Sequence, residues 1–298
     1  MSALPDAPFG RLLTAMVTPF TDNGEVDYEG AATLADHLVT AGCTGLVISG
    51  TTGESATTSD EEKEQLLGVV VDSVGDRVPV IAGVGTNDTR HSLELCVSAA
   101  KAGAAGLLAV TPYYTKPPQA GLLAHFQQIA DATDLPVMLY DIPGRTGLAI
   151  ETETLVRLAE HPRILAVKDA KGDLNASSWV RARSDIAIYS GDDAMTLPLL
   201  SIGAVGVVGV STHVAARAIG AMIDAFDQGD VSEATGLHLQ LMPAFTGLFR
   251  TQGVILAKAA LRMLGLPAGP VRAPLVDATP AQVEQLRSDL QAAGVALP

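Results

Sequence analysis

Short, nearly continuous apolar runs recur along the chain, and helical patterns separate them at a spacing of about 20 to 30 residues. Strands that lack polar alternation are buried on both faces, which is typical of a parallel sheet covered by helices. The runs fall at about residues 11–19, 45–50, 78–85, 106–112, 135–143, 164–170, 186–193 and 204–211. The alternation therefore predicts an α/β protein with eight parallel strands.

The number of units favours a closed barrel over an open sheet. A doubly wound sheet that binds a dinucleotide carries a Gly-rich turn after its first strand, and this chain has none there. We therefore expect a (β/α)8 TIM barrel. From about residue 230 only helical patterns follow, and Pro280 opens the last of them. We assign residues 1–230 to the barrel and residues 231–298 to a C-terminal helical extension.

The charge balance argues against nucleic acid as a partner. The chain has 19 Lys and Arg against 33 Asp and Glu, a formal net charge of -14 at pH 7. Such a surface repels phosphate backbones and anionic membranes. We expect no nucleic-acid partner.

The sequence also favours a cytoplasmic protein outside the membrane. The one long span without a formal charge, residues 194–216, contains a proline and three glycines, which favours a short helix and a buried strand over a membrane helix. The first twenty residues lack the basic region and unbroken apolar core of a secretory signal. The two cysteines, Cys43 and Cys96, suit reduced thiols in a core.

Lys168 lies in the sixth apolar run, "ILAVKDA", where an ammonium group loses its water. The period of two places Lys168 on one face of the strand with Ala166 and Ala170, and Asp169 on the other face. Desolvation lowers the pKa of a lysine and frees a neutral amine that can attack a carbonyl. The alternative is a buried ion pair, for which Asp169 points the wrong way.

Other polar residues end strands at the same face of the predicted barrel, where active sites of this fold are built. Tyr140 ends the neighbouring fifth strand, and a phenol beside Lys168 can relay protons. Thr51 and Thr52 in "GTTG" offer hydroxyls and backbone amides to a small carboxylate, and Arg145 offers a forked donor to another. Each signal is weak alone, and their coincidence at one face makes the case.

Two further features of the sequence do not indicate additional chemistry. Lys258 shares a helix with Arg262, and helical spacing predicts that both lie on a solvent-facing stripe. The six histidines show no HxxxH pair, and the cysteines no CxxC pair. We therefore expect no metal site.

The motifs "GTTGES", "TPYY.KPP", "YDIPGRTG", "VKDAKGD", "YSGDDA" and "GVVGVSTHVAAR" occur in this order over nearly the whole chain. As a set they resemble the dihydrodipicolinate synthase and N-acetylneuraminate lyase family, most closely its actinobacterial synthases. The resemblance implies that Lys168 forms a Schiff base with pyruvate. It also implies a proton relay of Thr51, Tyr114 and Tyr140, in which Tyr114 reaches the site of a neighbouring subunit.

The resemblance further implies the substrate-binding residues. Thr51 and Thr52 would bind the pyruvate carboxylate, and Arg145 would bind the carboxylate of L-aspartate 4-semialdehyde. Gly191 and Val208 match residues that line the site. The implied reaction condenses pyruvate with the semialdehyde to give 4-hydroxy-tetrahydrodipicolinate on the route to diaminopimelate and lysine, and it needs no cofactor. The family also implies a homo-oligomer, a tetramer built as a dimer of dimers.

Alternatives from other classes stay open at this point. A 2-keto-3-deoxy sugar acid aldolase or N-acetylneuraminate lyase of the same family generally lacks the arginine that corresponds to Arg145. A non-catalytic paralogue would have lost Lys168, Tyr140 or Thr51, and none is missing. A pyridoxal-phosphate enzyme would show a phosphate-binding cup, which no motif here suggests.

Overall fold

Eight parallel strands pair in chain order and close into a barrel in the computed structural model, which describes residues 6–298. The first strand also pairs with the last, Leu13 lying opposite Val208. The strands are β1 Leu12–Ala15, β2 Gly45–Ile48, β3 Val80–Gly83, β4 Gly106–Val110, β5 Val137–Asp141, β6 Ile164–Asp169, β7 Ala187–Ser190 and β8 Gly206–Gly209. The predicted barrel is confirmed. Residues 1–5, part of the predicted barrel range 1–230 and of the segment tested for a secretory signal, lie outside the described residues.

The first strand is shorter than the predicted run of residues 11–19. It ends at Ala15, although Met16 still donates a backbone hydrogen bond to Val47 at 3.0 Å. The chain then turns out of the sheet, and Phe20 forms an antiparallel bridge with Val26. Pro19 has no backbone N–H to donate to a neighbouring strand, so it cannot extend the sheet. The apolar run in the sequence is therefore longer than the strand.

Helices cover the outside of the barrel, and several of them begin at a side chain that caps their free N–H groups. Ser59 and Glu62 form a capping box at the start of the second helix, and the acidic side chains of its first turn interact favourably with the helix dipole. The helices are α1 Tyr28–Thr40, α2 Asp60–Val74, α3 Thr89–Lys101, α4 Gln119–Asp131, α5 Pro143–Thr146, α6 Thr152–Leu158, α7 Leu174–Arg183, α8 Thr196–Leu200, α9 Thr212–Asp227, α10 Val231–Gly247, α11 Gly253–Met263 and α12 Pro280–Ala292.

Two apolar layers result from the alternation of side chains along the strands. One set faces the barrel axis and packs there, with Leu13, Val47, Ile81, Met138 and Val208 among its members. The other set faces outward and packs against the helices in the larger core. Burial on both faces explains why the strands appear in the sequence as continuous apolar runs.

The chain after α9 is helical, as predicted. α10 packs against α9 and α12, and Leu248, Leu256, Leu286 and Leu290 belong to a separate apolar cluster between these helices. The segment between α11 and α12 returns toward the barrel, where Phe20 donates a backbone hydrogen bond to Ala268 at 3.2 Å. The extension therefore packs on the C-terminal face of the barrel near β1.

The uncharged span of residues 194–216 forms α8, a turn, β8 and the start of α9. Nowhere in residues 6–298 does a helix combine the length and hydropathy that crossing a bilayer requires. Cys43 and Cys96 are both buried and free.

Candidate active site

Lys168 lies at the C-terminal end of β6 and points into the barrel, as the period of two predicts. Its Nζ lies 4.2 Å from the centroid of the Tyr140 ring, and the two residues are opposite each other across β5 and β6. Only 5% of Lys168 is exposed. Asp169 faces outward and accepts hydrogen bonds from the Ser177 hydroxyl and from the Lys171 backbone N–H. Asp169 therefore does not pair with Lys168.

Burial lowers the pKa of Lys168 to about 7; the Asp193 carboxylate opposes this shift, and the nearby Arg145 guanidinium contributes to it. An ordinary lysine has a pKa near 10.5 and is almost fully protonated at neutral pH. At pH 7 about half of the Lys168 side chains are then neutral amines with a free lone pair. The site has a nucleophile ready at physiological pH.

Tyr140 keeps its proton at neutral pH. Burial raises the pKa of its phenol to about 12, although the Arg145 charge opposes the shift. A phenol that stays protonated beside an amine can donate a hydrogen bond to an oxygen atom bound on the same carbon that the amine attacks. The pair therefore supplies a nucleophile and a proton donor within one site.

A cleft of about 840 Å³ opens above these two strands and brings together side chains from distant parts of the sequence. Thr51, Tyr114 and Arg145 all line it, as does Val110 at the end of β4. Val110 lies opposite Tyr140 in the sheet, so the strand ends that carry Tyr140 and Lys168 adjoin the cleft. Thr52, the neighbour of Thr51, is buried.

Arg145 and Tyr114 lie on two loops that contact each other. Arg145 belongs to the short helix α5, which directly follows β5 and ends at Gly147 with φ of +76°. Tyr114 has a φ of +71°, and its backbone N–H donates to Thr146 at 3.2 Å. The Tyr114 side chain is 88% exposed. The backbone contact fixes the position of Tyr114 relative to Arg145.

Gly191, which the resemblance placed among the residues that line the site, packs against Lys168. A Cβ added at Gly191 would lie 2.9 Å from Cγ of Lys168 and 3.0 Å from Cβ of Ala170, so a larger residue would displace the lysine. Val208 lies on β8 and is buried in the same inward layer as Tyr140.

Asp193 is a buried residue of this site that the sequence reasoning did not single out. One carboxylate oxygen accepts hydrogen bonds from the Val210 and Ser211 backbone N–H groups and from the Ser211 hydroxyl, at 2.9 to 3.2 Å. The other oxygen, Oδ1, has no hydrogen-bond partner. Its charge raises the pKa of Lys168. The "SGDD" motif placed Asp193 at a strand end, but only the fold shows which of the two aspartates turns inward.

The prediction for Lys258 is wrong. Lys258 is fully buried on α11, and its Nζ lies 2.7 Å from Oε1 of Glu54. Arg262 is exposed as predicted, but Lys258 is enclosed because other elements pack on that face of α11, which helical spacing alone does not show. The available signal was an isolated charge within the apolar run "VILAKAAL".

The donor sets of residues 6–298 include no group of three or more His, Cys, Asp or Glu side chains arranged to hold a metal ion.

The fold and the site define a (β/α)8 barrel with a desolvated lysine of lowered pKa at the C-terminal ends of its strands. Residues 8–293 match the model of the "Dihydrodipicolinate synthetase family". The chain belongs to this family.

Relatives with established names cover almost the whole chain. A protein from Acidothermus cellulolyticus named 4-hydroxy-tetrahydrodipicolinate synthase is 71% identical over 98% of this chain and 95% of its own length. A Streptomyces coelicolor protein named 4-hydroxy-tetrahydrodipicolinate synthase 2 is 62% identical over 99% of each.

Solved structures agree with the fold. A crystal structure described as DHDPS from Cyanidioschyzon merolae with lysine bound superposes with a TM-score of 0.96 and 48% identity. The match covers 98% of this chain and all of the other.

Proposed function

We propose that the protein is a Schiff-base synthase that condenses pyruvate with L-aspartate 4-semialdehyde to 4-hydroxy-tetrahydrodipicolinate, in diaminopimelate and lysine biosynthesis. The observation that carries this proposal is Lys168, a buried amine with a pKa of about 7 placed 4.2 Å from the Tyr140 ring. The names of relatives up to 71% identical support the synthase over a sugar-acid aldolase or N-acetylneuraminate lyase.

The first half of the reaction activates pyruvate. The neutral amine of Lys168 adds to the keto carbon, and Tyr140 donates a proton to the hydroxyl that leaves as water. Thr51 and Thr52 bind the pyruvate carboxylate through hydroxyl and backbone N–H groups. The resulting iminium acidifies the methyl group, whose proton returns through Tyr140 to give an enamine. Because the iminium nitrogen is the electron sink, no cofactor is needed.

The second half forms the carbon–carbon bond. The enamine carbon attacks the aldehyde carbon of the semialdehyde, and the new alkoxide takes a proton through the relay of Thr51, Tyr114 and Tyr140. Arg145 binds the second carboxylate with its forked donors. The substrate amino group then attacks the imine carbon, which closes the ring and frees Lys168. Gly191 and Val208 keep the pocket narrow around the reacting amine.

We further propose a cytoplasmic tetramer, built as a dimer of dimers, in which Tyr114 enters the site of a neighbouring subunit. Tyr114 is 88% exposed, so its large aromatic side chain makes few contacts within its own chain, which supports this role. Its positive φ is a strained conformation, which is common at functional sites. We also propose that the catalytic barrel extends to residue 230 and that residues 231–298 form the extension.

The test supplies the purified protein with pyruvate and L-aspartate 4-semialdehyde and measures the cyclic product by mass spectrometry. We expect product with wild type and none with Lys168→Ala. Arg145→Ala should raise the KM for the semialdehyde more than the KM for pyruvate. Cleavage of N-acetylneuraminate or of a 2-keto-3-deoxy sugar acid, without condensation, would contradict the proposal.

A further inference from the structure

A buried ion pair joins the C-terminal extension to the loop that carries Thr51. Nζ of Lys258, on α11, lies 2.7 Å from Oε1 of Glu54. It also donates to the Pro270 carbonyl at 2.7 Å and lies 4.0 Å from the Phe20 ring centroid. The Lys258 side chain is 0% exposed and that of Glu54 is 1% exposed, so neither charge is solvated. The mechanism above uses neither group.

The extension holds the second oxygen of Glu54 as well. Oε2 accepts a hydrogen bond from the Arg272 backbone N–H at 2.8 Å. The Arg272 guanidinium donates to the Thr57 carbonyl at 2.8 Å and pairs with Glu62 at the start of α2. Both ends of the segment from Glu54 to Thr57 are therefore attached to residues beyond α10.

The backbone of this loop is strained in a way that requires such support. Glu54 has a φ of +54° and Ser49 a φ of +57°, a region that non-glycine residues seldom occupy. The Glu54 backbone N–H donates a hydrogen bond to the Thr51 carbonyl at 3.2 Å. This bond closes the turn that exposes Thr51 to the cleft. On the barrel side, the Thr18 hydroxyl donates to the Gly53 carbonyl at 2.7 Å. The loop is held from the barrel on one side and from the extension on the other.

We propose that Glu54 and Lys258 are positioning residues, which hold the 49–58 loop so that Thr51 and Thr52 meet the substrate carboxylate. The inference rests on the proposed function for the identity of that substrate. Glu54 is itself among the residues that line the cleft, as are Gln252, Pro274 and Leu275 of the extension. The C-terminal extension is in this account a part of the substrate site.

The test compares Lys258→Met and Glu54→Gln with the control Arg250→Met in the full-length protein. Arg250 forms a two-point ion pair with Asp289 inside the extension and does not contact the loop. The readouts are the KM for pyruvate and kcat, together with hydrogen–deuterium exchange of a peptide spanning residues 49–58. Exchange needs no turnover, so it reports on the loop whether or not the proposed reaction occurs.

We expect Lys258→Met to raise the KM for pyruvate about tenfold, with a smaller effect on kcat, because the displaced loop no longer binds the carboxylate. Exchange in residues 49–58 should become faster, while Arg250→Met changes neither readout. If Lys258→Met does not fold, Glu54→Gln, which preserves the side-chain shape, decides by the same two measurements.

A variant that is less stable but keeps wild-type KM and wild-type loop exchange would overturn the positioning role. A wild type that traps no pyruvate would overturn the proposed function instead, and the loop exchange of the variants would still show whether the pair holds the loop.

Discussion

At the scale of single residues, the environment of Lys168 determines the chemistry available to the site. The strand buries the amine, Arg145 adds a positive charge nearby, and Asp193 opposes both effects. The balance leaves the amine about half neutral at pH 7 instead of almost fully protonated. The neighbouring phenol of Tyr140 shifts the other way and retains its proton, so the two groups have opposite roles.

The first prediction concerns pH. Only the neutral amine attacks pyruvate, and Lys168 loses its proton as the pH rises through about 7. The rate of pyruvate imine formation should therefore rise with pH and level off above that value. Rapid-quench borohydride trapping across a pH series measures this rate. A rate that keeps rising up to the ordinary lysine pKa of 10.5 would show that Lys168 is not desolvated.

The second prediction concerns Gly191. A Cβ there would lie 2.9 Å from Cγ of Lys168, so Gly191→Ala must displace the lysine or the strand end. We expect imine formation to slow by about tenfold or more, because the amine leaves its reactive position. The control is Gly236→Ala on α10, where no atom lies within 4 Å of the added Cβ. Equal rates in both variants would contradict the close packing.

At the scale of secondary-structure elements, β5 and β6 carry the reacting pair on one face and an acidic pair on the other. Tyr140 lies opposite Lys168, and Asp141 lies opposite Asp169. Behind the strands, Nζ of Lys171 lies 3.3 Å from Oδ2 of the fully buried Asp141. This ion pair ties the loop after β6 to the end of β5.

The third prediction follows from this pair. Burial raises the pKa of Asp141 to about 6, although the Lys171 charge lowers it. Without Lys171, the charged Asp141 carboxylate has no ion-pair partner. Lys171→Met should lower the free energy of unfolding by about 3–5 kcal/mol at pH 8. A carboxylic acid whose pKa is raised on folding stabilises the native state at low pH, and this stabilisation is lost as the pH rises through the pKa in the folded state. The loss should therefore be smaller near pH 5.

Urea denaturation at both pH values measures the effect of Lys171→Met. The double variant Asp141→Asn/Lys171→Met, which removes both charges, is the control and should recover part of the stability at pH 8. A destabilisation by Lys171→Met that is equal at pH 5 and pH 8 would contradict an unpaired Asp141 carboxylate as its cause.

The barrel and its lysine could be predicted from sequence because both depend on local patterns. Buried parallel strands appear as apolar runs, and the period of two places Lys168 on the inner face. The role of Lys258 could not be predicted, since its partner Glu54 lies about 200 residues earlier in the chain and only the tertiary fold joins them. β1 is predicted too long because the apolar residues after Ala15 are buried as strand residues would be, but they lie outside the sheet.

At the scale of the whole molecule, we propose that the extension and a subunit contact both complete a site that the barrel begins. Lys258 and Arg272 hold the loop of Thr51 from the extension. Tyr114 is exposed on the barrel and contacts a neighbouring chain in the proposed assembly.

The fourth prediction concerns that assembly. Sedimentation equilibrium should give the mass of the four chains of the proposed tetramer. The exposed Tyr113 and Tyr114 offer the apolar contact of one of its interfaces. Tyr114→Ser should shift the mass toward smaller species and lower kcat together. A wild type that sediments as a fully active single chain would contradict the contribution of Tyr114 across subunits.

The central claim, that Lys168 forms the imine, is tested most directly by intact-mass measurement after treatment with pyruvate and borohydride. Wild type should gain the mass of one pyruvic acid less one oxygen atom, since water leaves on imine formation and two hydrogens enter on reduction. Lys168→Ala should gain nothing under the same conditions. An adduct of equal yield on Lys168→Ala, or no adduct on either protein, would contradict the account.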